Sequence, residues 1–297
     1  MTVLAQELWS ELTPLRIRAR QVAQGIYAGA HRSALRGAGV EFGGYREYVP
    51  GDDLRWLDRR SWMRHQHLLV RQFETETDRT LCLIVDASAS MGFRGPGAPA
   101  TKMAFASLLA AALARIALRG GDPVSLAYLA GRAAEPVGRS SGREQFERVV
   151  ASLDAAKPDG DARVDRGMVD RAVAWLDRSA RRGAIVVVLS DLIDLPEDAA
   201  DRLSGLVSGG RVVVVVQTLS PAEADFPFEG PIRLRSLEGD TVVETDAEGA
   251  RDRYLAAMAA LAAKWHDAVV ARGARFVRAK TTDSPARVLR DIVRAVR

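Results

Sequence analysis

A carboxylate and two hydroxyls occupy every second position at the end of the stretch LCLIVDASASM, residues 81–91. Asp86 ends a run of mostly apolar residues, and Ser88 and Ser90 follow it directly. A continuous apolar run of this length is typical of a strand that is buried on both faces of a parallel sheet. Because open parallel sheets bind ligands at the carboxyl ends of their strands, we expect these three side chains to lie at a ligand site.

A second aspartate stands in the same position after another apolar run, in the stretch VVVLSDLID. If the strand that precedes Asp191 is a neighbour of the strand that ends at Asp86, both carboxylates converge on one point. Carboxylate and hydroxyl oxygens suit Mg²⁺, Mn²⁺ or Ca²⁺ better than Zn²⁺. The sequence therefore predicts a divalent-cation site formed by Asp86, Ser88, Ser90 and Asp191, with one position left for an outside carboxylate.

The same residue types also occur in helix caps and in phosphoryl-transfer sites. Serine and aspartate after a strand often only cap the helix that follows. Asp86 could alternatively be the phosphoryl-accepting nucleophile of a magnesium-dependent hydrolase, assisted by Lys102 or Asp191. Such hydrolases usually carry a second acid two residues after the first, and Ser88 cannot serve well as a general acid there. The sequence therefore favours a protein that is not an enzyme.

Strand and helix patterns alternate from residue 80 onward, which indicates an α/β fold with a mainly parallel central sheet flanked by helices. The predicted strands are Leu81–Val85, Val124–Leu129, Ala184–Leu189, Val212–Val216 and Arg275–Val277, with a short edge strand at Val137. The predicted helices are Lys102–Arg119, Arg143–Leu153, Arg166–Arg181, Glu197–Val207, Arg251–Arg272 and Ala286–Val296. Two alternating runs flank the turn at residues 238–240 and predict a β-hairpin inserted at about residues 231–245.

The first 79 residues have a different pattern and are predicted to form an N-terminal accessory segment of helix, loops and short strands. A short helix is expected over Leu4–Arg20, interrupted at Pro14, and HLLVRQFETETD alternates as a strand does. The predicted domain division is therefore an accessory segment at residues 1–79 and an α/β domain at residues 80–297.

The composition narrows the classes of partner and the compartment. A formal net charge of +4 over 297 residues is weak evidence for nucleic-acid binding. Cys82 is the only cysteine, so an intrachain disulfide is impossible, and the N-terminus lacks the pattern of a signal peptide. The longest apolar segment, Met103–Leu118, is shorter than the roughly 20 residues that a membrane span needs. We expect a cytoplasmic protein with no nucleic-acid partner and no direct membrane insertion.

The residues of the predicted site carry a resemblance to a known family. DASAS resembles the Asp-x-Ser-x-Ser signature of von Willebrand factor type A domains, whose metal-ion-dependent adhesion site lies at the top of a Rossmann-like sheet. The wider set EFGGYREYVPGDDLRWLD, LLVRQFETET, VDASASM and VLSDLID resembles the bacterial family called domain of unknown function 58, from about His31 to the C-terminus. Members of that family resemble von Willebrand type A proteins and are often encoded beside MoxR-type AAA+ ATPases.

The resemblance implies particular roles for the site residues. Asp86, Ser88 and Ser90 match the signature, and Asp191 matches the second aspartate of the adhesion site. A threonine is expected on a loop that here reads KPDGDARVDRG, and Asp161 falls at about its position. Asp161 is therefore either an extra carboxylate ligand or a sign that the site binds metal weakly or not at all. The implied function is non-catalytic: a protein-interaction module that presents Mg²⁺, Mn²⁺ or Ca²⁺ and serves as partner or adaptor of a MoxR-type AAA+ ATPase.

Overall fold

A computed structural model of the chain describes residues 15–29, 41–47, 69–74, 80–239 and 241–296. The described residues divide into two compact units. The first unit contains residues 15–29 and all the described residues from 80 onward, and the second contains residues 41–47 and 69–74. The boundary at residue 79 that the sequence indicates between an accessory segment and an α/β domain stays a prediction.

The helices and strands of the two units are numbered together in chain order. The helices are α1 (Leu15–Gly29), α2 (Lys102–Arg119), α3 (Gly142–Ala155), α4 (Met168–Ser179), α5 (Ala199–Gly205), α6 (Pro221–Asp225), α7 (Ala247–Ala271) and α8 (Pro285–Val296). The strands are β1 (Glu41–Glu47), β2 (Leu69–Glu74), β3 (Leu81–Asp86), β4 (Val124–Leu129), β5 (Val137–Ser140), β6 (Ile185–Ser190), β7 (Val212–Leu219), β8 (Pro231–Arg235), β9 (Val242–Asp246) and β10 (Arg275–Lys280). Short 3₁₀ turns lie at Ala89–Gly92 and Leu206–Gly209.

The central sheet of the first unit has six strands in the order β10-β7-β6-β3-β4-β5. All neighbouring pairs are parallel except β4 with β5, which is antiparallel. After β3 the chain moves outward through β4 and β5, and it then returns to place β6 on the other side of β3. The strand order therefore reverses between β3 and β6, and a crevice at such a switch point is where open α/β sheets bind ligands.

Both faces of the sheet are covered, as the apolar strand patterns predict. Every residue of β3 is buried. Leu83 and Val85 pack in one core with α2, whereas Cys82 and Ile84 pack in a second core with α4 and β6. The mixed α/β fold with a mostly parallel sheet flanked by helices is confirmed, and β3 is packed on both sides up to its last residue.

Several elements differ from the predicted bounds. α1 is described over Leu15–Gly29 and continues past the predicted end at Arg20, while residues 4–14 of the predicted helix lie outside the described residues. Its buried residues Leu15, Ala19 and Val22 belong to the same core as α2. The short helix α6 was not predicted from the sequence pattern, and β7 extends three residues further than its valine run, to Leu219.

The second unit is described through one antiparallel pair of strands, β1 with β2. The pairing runs from Glu41 opposite Glu74 to Glu47 opposite Leu69, with an irregularity between Phe42 and Gly44. The strand expected in HLLVRQFETETD is present as β2. β1 covers the first seven residues of the motif EFGGYREYVPGDDLRWLD, and the rest, YVPGDDLRWLD, lies outside the described residues.

The inserted hairpin is present as the antiparallel pair β8–β9. Its residues Ile232 and Leu234 pack against a small apolar cluster formed by Phe226, Ala247 and Ala250, which is separate from the two cores of the sheet. No helix in the described ranges of the chain is both long and apolar enough to cross a membrane.

Thr101 caps the helix that carries Lys102. Its side chain accepts a hydrogen bond from the backbone N–H of Ala104 over 3.1 Å, which satisfies one of the free donors of the first turn of α2. We expect Thr101→Ala to lower the free energy of unfolding by about 1 kcal/mol, and Thr101→Ser to have little effect, because serine caps equally well. Urea denaturation of the three proteins checks this, and equal losses in both variants would contradict the cap assignment.

Candidate functional site

Asp86 ends β3 at the switch point of the sheet, and its side chain is completely buried. Its Oδ1 accepts the backbone N–H of Ser88 over 2.9 Å, and its Oδ2 accepts the hydroxyl of Ser190 over 2.5 Å. Ser190 is the last residue of β6, so Asp86 ties the ends of the two central strands together. No described cationic side chain forms an ion pair with Asp86.

The two serines of the loop after β3 lie beside this carboxylate. The Oγ atoms of Ser88 and Ser90 are 3.1 Å apart and share a hydrogen bond. Ser88 is fully buried and Ser90 is 9% exposed. The Asp86, Ser88 and Ser90 side chains of the sequence motif therefore form one compact group of oxygen atoms, rather than separate helix caps. Consistent with this, Ser88 precedes the short 3₁₀ turn without making a side-chain capping bond.

The loop after β6 is held in an unusual backbone conformation. Leu192 and Asp194 have φ angles of 64° and 58°, in the left-handed region that non-glycine residues rarely adopt. The turn is fixed by two local bonds: Leu192 N–H donates to Ser190 Oγ, and Ile193 N–H donates to Asp191 Oδ1, each over 2.9 Å. Such strain persists only where the surroundings enforce it, and it clusters at functional sites.

Lys102 places a buried ammonium against the second predicted carboxylate. Its Nζ donates to Asp191 Oδ2 over 2.6 Å and makes a short contact with Glu223 Oε1. The side chains of Lys102 and Asp191 are both inaccessible to solvent. Burial opposes the charge on Lys102, but Asp191 and Glu223 outweigh that effect and raise the pKa of Lys102 above its usual value. Lys102 is therefore charged, and its ammonium holds the buried carboxylate of Asp191 in place.

Glu223 has two functions within α6. Its Oε2 accepts the backbone N–H of Ser220 over 2.9 Å and completes a capping box with that residue, while Oε1 contacts Lys102. Burial raises the pKa of Glu223, and the charge of Lys102 partly offsets the increase. This capping bond holds the Glu223 side chain in the orientation in which its carboxylate contacts the ammonium of Lys102, although α6 has only five residues.

The electrostatic environment of Asp86 is unfavourable to its charge. Burial and the neighbouring charge of Asp191 raise its pKa to about 7, although hydrogen bonds from Ser190 and Ser88 act in the opposite direction. In the metal-free protein near neutral pH, Asp86 is therefore poised between its protonated and charged forms.

This raised pKa predicts how stability depends on pH without metal. The folded protein keeps a proton on Asp86 that the unfolded chain releases above about pH 4, so stability falls as pH rises toward 7. Asp86→Asn lacks this proton, so in chelator the difference between its free energy of unfolding and that of wild type at the same pH should grow as pH rises. The expected slope is up to about 1.4 kcal/mol per pH unit between about pH 5 and 7. Urea denaturation at several pH values measures it, and a pH-independent difference would contradict the environment described for Asp86.

Asp161 is not drawn into this group by any contact that the structure shows. Its Oδ1 accepts the backbone N–H of Arg163 over 2.8 Å and the Arg163 Nε over 3.2 Å. The hydrogen bond from Arg163 and its charge hold the pKa of Asp161 below its usual value. The role of Asp161 as an auxiliary metal ligand stays a prediction.

A carboxylate from the hairpin stands near the place that Asp161 was predicted to fill. Glu238 Oε2 accepts the backbone N–H of Ala162 over 3.0 Å, and Oε1 accepts the backbone N–H of Ser90 over 3.3 Å. Glu238 is only 6% exposed. It therefore bridges the loop after β3 and the loop before α4, which are also joined by a backbone bond from Ala89 N–H to the Gly160 carbonyl over 3.1 Å.

β3 pairs with β6, so Asp86 and Asp191 follow neighbouring strands, which is the condition that the predicted cation site requires. Sequence reasoning missed Ser190, Glu223 and Glu238, and it did not foresee Lys102 as a partner of Asp191. Ser190 could have been found, because it occupies the strand end beside Asp191. The Ser-Pro-Ala-Glu pattern at residues 220–223 signals a capping box, but not an ion pair.

The kinds of ligand atom at the end of β3 decide which cation could bind at this site. In the ranges that the structure describes, no group of three or more His, Cys, Asp and Glu residues lies close enough to hold a metal ion. A cation at this edge would therefore depend on the hydroxyls of Ser88 and Ser90 together with Asp86. Hydroxyl and carboxylate oxygens suit Mg²⁺ or Mn²⁺, which keep several water ligands and need few protein carboxylates.

Two cavities are relevant to the position of the site. One of about 760 Å³ lies along β4 and α4, and the ionisable groups that line it, such as Asp165 and Arg171, are largely exposed. A smaller one of about 360 Å³ lies beside the hairpin and is lined by Ser90, Glu223 and Glu238 among other residues. The smaller cavity is the one that adjoins the buried charges, so we take it as the approach to the site.

Comparison with protein families gives a match over most of the chain. A family model described as "Protein of unknown function DUF58" matches residues 44–264. Uncharacterized proteins of Mycobacterium tuberculosis and Mycobacterium bovis are each 30% identical to the chain over 270 residues, which is 91% of this chain and 82% of each relative.

Solved structures of low sequence identity also resemble the chain. A conserved hypothetical protein BatB from Bacteroides thetaiotaomicron is 17% identical, with a TM-score of 0.45. An aerotolerance-related membrane protein from Bacteroides fragilis is 18% identical, with a TM-score of 0.47. Each comparison covers 73% of this chain and 98% of the other.

Proposed function

Because the chain belongs to the DUF58 family, we propose that it is a non-catalytic protein-interaction module of von Willebrand type A-like design. It presents a divalent cation, Mg²⁺ or Mn²⁺, at the carboxyl edge of its sheet, and an aspartate or glutamate of a partner completes the coordination. The partner that the sequence resemblance favours is a MoxR-type AAA+ ATPase or a substrate of that ATPase, in the cytoplasm.

The observation that carries the proposal is an excess of buried negative charge at the switch point. Asp86, Asp191, Glu223 and Glu238 lie around the site, and the described cations near them are Lys102 and Arg163, of which Arg163 pairs with Asp161 and Asp194. Lys102 binds Asp191 and Glu223, which leaves Asp86 without a cation beside three serine hydroxyls. Buried charges are normally paired or coordinate a metal.

Each residue of the site would have a separate role in holding the cation. Asp86, Ser88 and Ser90 would hold the cation, and Ser190 keeps Asp86 aimed from the neighbouring strand. Asp191 would add negative charge from the position at which Lys102 fixes it. Bound there, the cation would supply the positive charge that accepts a carboxylate from a partner. A rigid sheet edge suits this task, because the ligands are already in place before the partner arrives.

The same geometry disfavours the hydrolase alternative. A hydrolase of this kind usually carries a second acid two residues after its nucleophile, and that position is Ser88, whose hydroxyl serves poorly as a general acid. Ser88, at the position of the second acid, shares its hydroxyl with Ser90. These contacts support an interaction module rather than an enzyme.

A pull-down from the native host tests the proposed function. Tagged wild-type protein is expected to retain a MoxR-type AAA+ ATPase in magnesium and to lose it in chelator. Asp86→Asn should lose it in both buffers. Asp225→Asn, which alters an exposed carboxylate paired with Lys280, is the matched control and should behave as wild type. An identical set of bound proteins in both buffers would show that the interaction does not depend on a cation.

A further inference from the structure

The proposed site is closed to an outside carboxylate in this conformation. Asp86, Ser88 and Asp191 have no exposed surface, and Ser90 has 9%. A partner's acid therefore cannot reach these oxygen atoms unless something moves. Ser90 is contacted from outside the sheet by the turn between β8 and β9, whose described residues 236–239 are called the hairpin tip below. We therefore consider the hairpin tip first as the element that covers the site.

In the described part of the hairpin tip, the buried carboxylate of Glu238 reaches the site. Glu238 accepts backbone N–H groups of Ser90 and Ala162, one on each of the two loops that flank Asp86. Gly239 follows directly and lies against Arg163, since a Cβ added there would come within 2.8 Å of Nη2 of that residue. The tip is thus seated between the two loops, with its carboxylate turned inward.

The body of the hairpin is attached much more loosely than its tip. Residues of β8 are alternately exposed and half-buried, and those of β9 are mostly exposed. Val242 and Val243, both in β9, are 38% and 49% exposed. The apolar contacts of Ile232 and Leu234 are made to the separate cluster at Phe226, and not to the two cores of the sheet. A two-stranded ribbon of this kind is only marginally stable alone, so contacts at its tip contribute strongly to its position.

We propose that Glu238 is a built-in competitor of the partner's acid: the hairpin tip closes the site in cis, and a partner must displace Glu238 before its own carboxylate can bind. The identity of the displacing ligand rests on the proposed function, whereas the closure itself rests only on the contacts of Glu238. The cavity of about 360 Å³ beside the tip is lined by Ser90 and Glu238 among others, so a partner's acid that enters through it meets Glu238 at the loop of Ser90.

The closure is tested without any metal by amide hydrogen exchange in chelator. Glu238→Ala removes both acceptors and is expected to speed exchange in the segments 88–92 and 160–163 by at least about tenfold, because hydrogen bonds to a charged acceptor are stronger than those between neutral groups. Glu244→Ala is the matched control: it removes an exposed carboxylate from the same hairpin, where it pairs with Arg233 at 3.6 Å. Unchanged exchange in Glu238→Ala, or equal acceleration in both variants, would overturn the closure.

The competition is tested by water-proton relaxation of Mn²⁺ added to the protein, with acetate as the acid probe. In Glu238→Ala, acetate is expected to lower the relaxation enhancement by displacing water from the bound ion, while wild type resists acetate. Equal sensitivity of both proteins to acetate would overturn the role of Glu238 as a competitor. If neither protein takes up Mn²⁺, the cation proposal and the competition fail together, and hydrogen exchange still decides whether Glu238 closes the site.

Discussion

Replacing Lys102 with methionine is expected to lower the free energy of unfolding by about 3–5 kcal/mol, because it leaves buried carboxylates without their cation. Lys102 Nζ lies 2.6 Å from Asp191 Oδ2 and also contacts Glu223, and neither Lys102 nor Asp191 reaches solvent. Methionine fills a similar volume, so the loss measures the removed charge rather than a cavity. Urea denaturation at neutral pH measures the difference.

A surface lysine provides the control for this substitution. Lys280 pairs with Asp225, and their side chains are 43% and 54% exposed. Exposed ion pairs contribute about 0–1 kcal/mol, so Lys280→Met should change stability little. Similar losses for Lys102→Met and Lys280→Met would mean that the buried cluster does not depend on the ammonium.

Magnesium is expected to stabilise the wild-type protein and to leave Asp86→Asn unchanged. A ligand that binds only the folded state adds about 2.7 kcal/mol at a concentration of one hundred times its Kd. Asparagine keeps the shape of Asp86 and an oxygen that can accept the Ser88 N–H, but it removes the charge that a cation requires. Thermal or urea unfolding with magnesium and with chelator measures the difference.

The serine hydroxyls supply an independent check on the same prediction. The double variant Ser88→Ala and Ser90→Ala keeps every carboxylate but removes two oxygen donors, so it should also lose most of the magnesium effect. Asp225→Asn should retain it, since that carboxylate lies outside the site. Stabilisation of equal size in wild type and Asp86→Asn would assign the magnesium effect to another part of the protein.

The sheet and the two aspartates were predictable because they follow from short-range patterns. Continuous apolar runs define β3 and β6, and the polar residue that ends each run must lie at the carboxyl edge. Asp86 and Asp191 end neighbouring strands if the strand order reverses between them, and open parallel sheets commonly contain such a reversal. These inferences depend on local sequence and on one topological rule.

The remaining site residues depend on contacts between segments far apart in the chain. Lys102 opens an apolar helix, and nothing in its neighbours indicates that its ammonium meets Glu223, 121 residues later. Glu238 occupies a hairpin turn, where a glutamate is usually solvated, and its contact with Ser90 spans 148 residues. Such pairs are invisible to sequence patterns, because a pattern describes one segment at a time.

Asp161 illustrates a competing local interaction. Its position on the loop agreed with that of the expected threonine, but its carboxylate accepts the N–H of Arg163 two residues later. Aspartate readily makes such short-range bonds to its own backbone, which turn the side chain toward the loop. Glu238 also supplies a carboxylate beside this loop, to the backbone of the adjacent Ala162, and the role of Asp161 as a metal ligand stays a prediction.

The most direct test of the cation site is a calorimetric titration of Mn²⁺ into metal-free wild-type protein and into Asp86→Asn. The account predicts saturable binding of a single ion by the wild type and no detectable binding by the variant at the same concentrations. Wild-type protein that takes up no Mn²⁺, or a variant that binds it with the same affinity, would contradict the account.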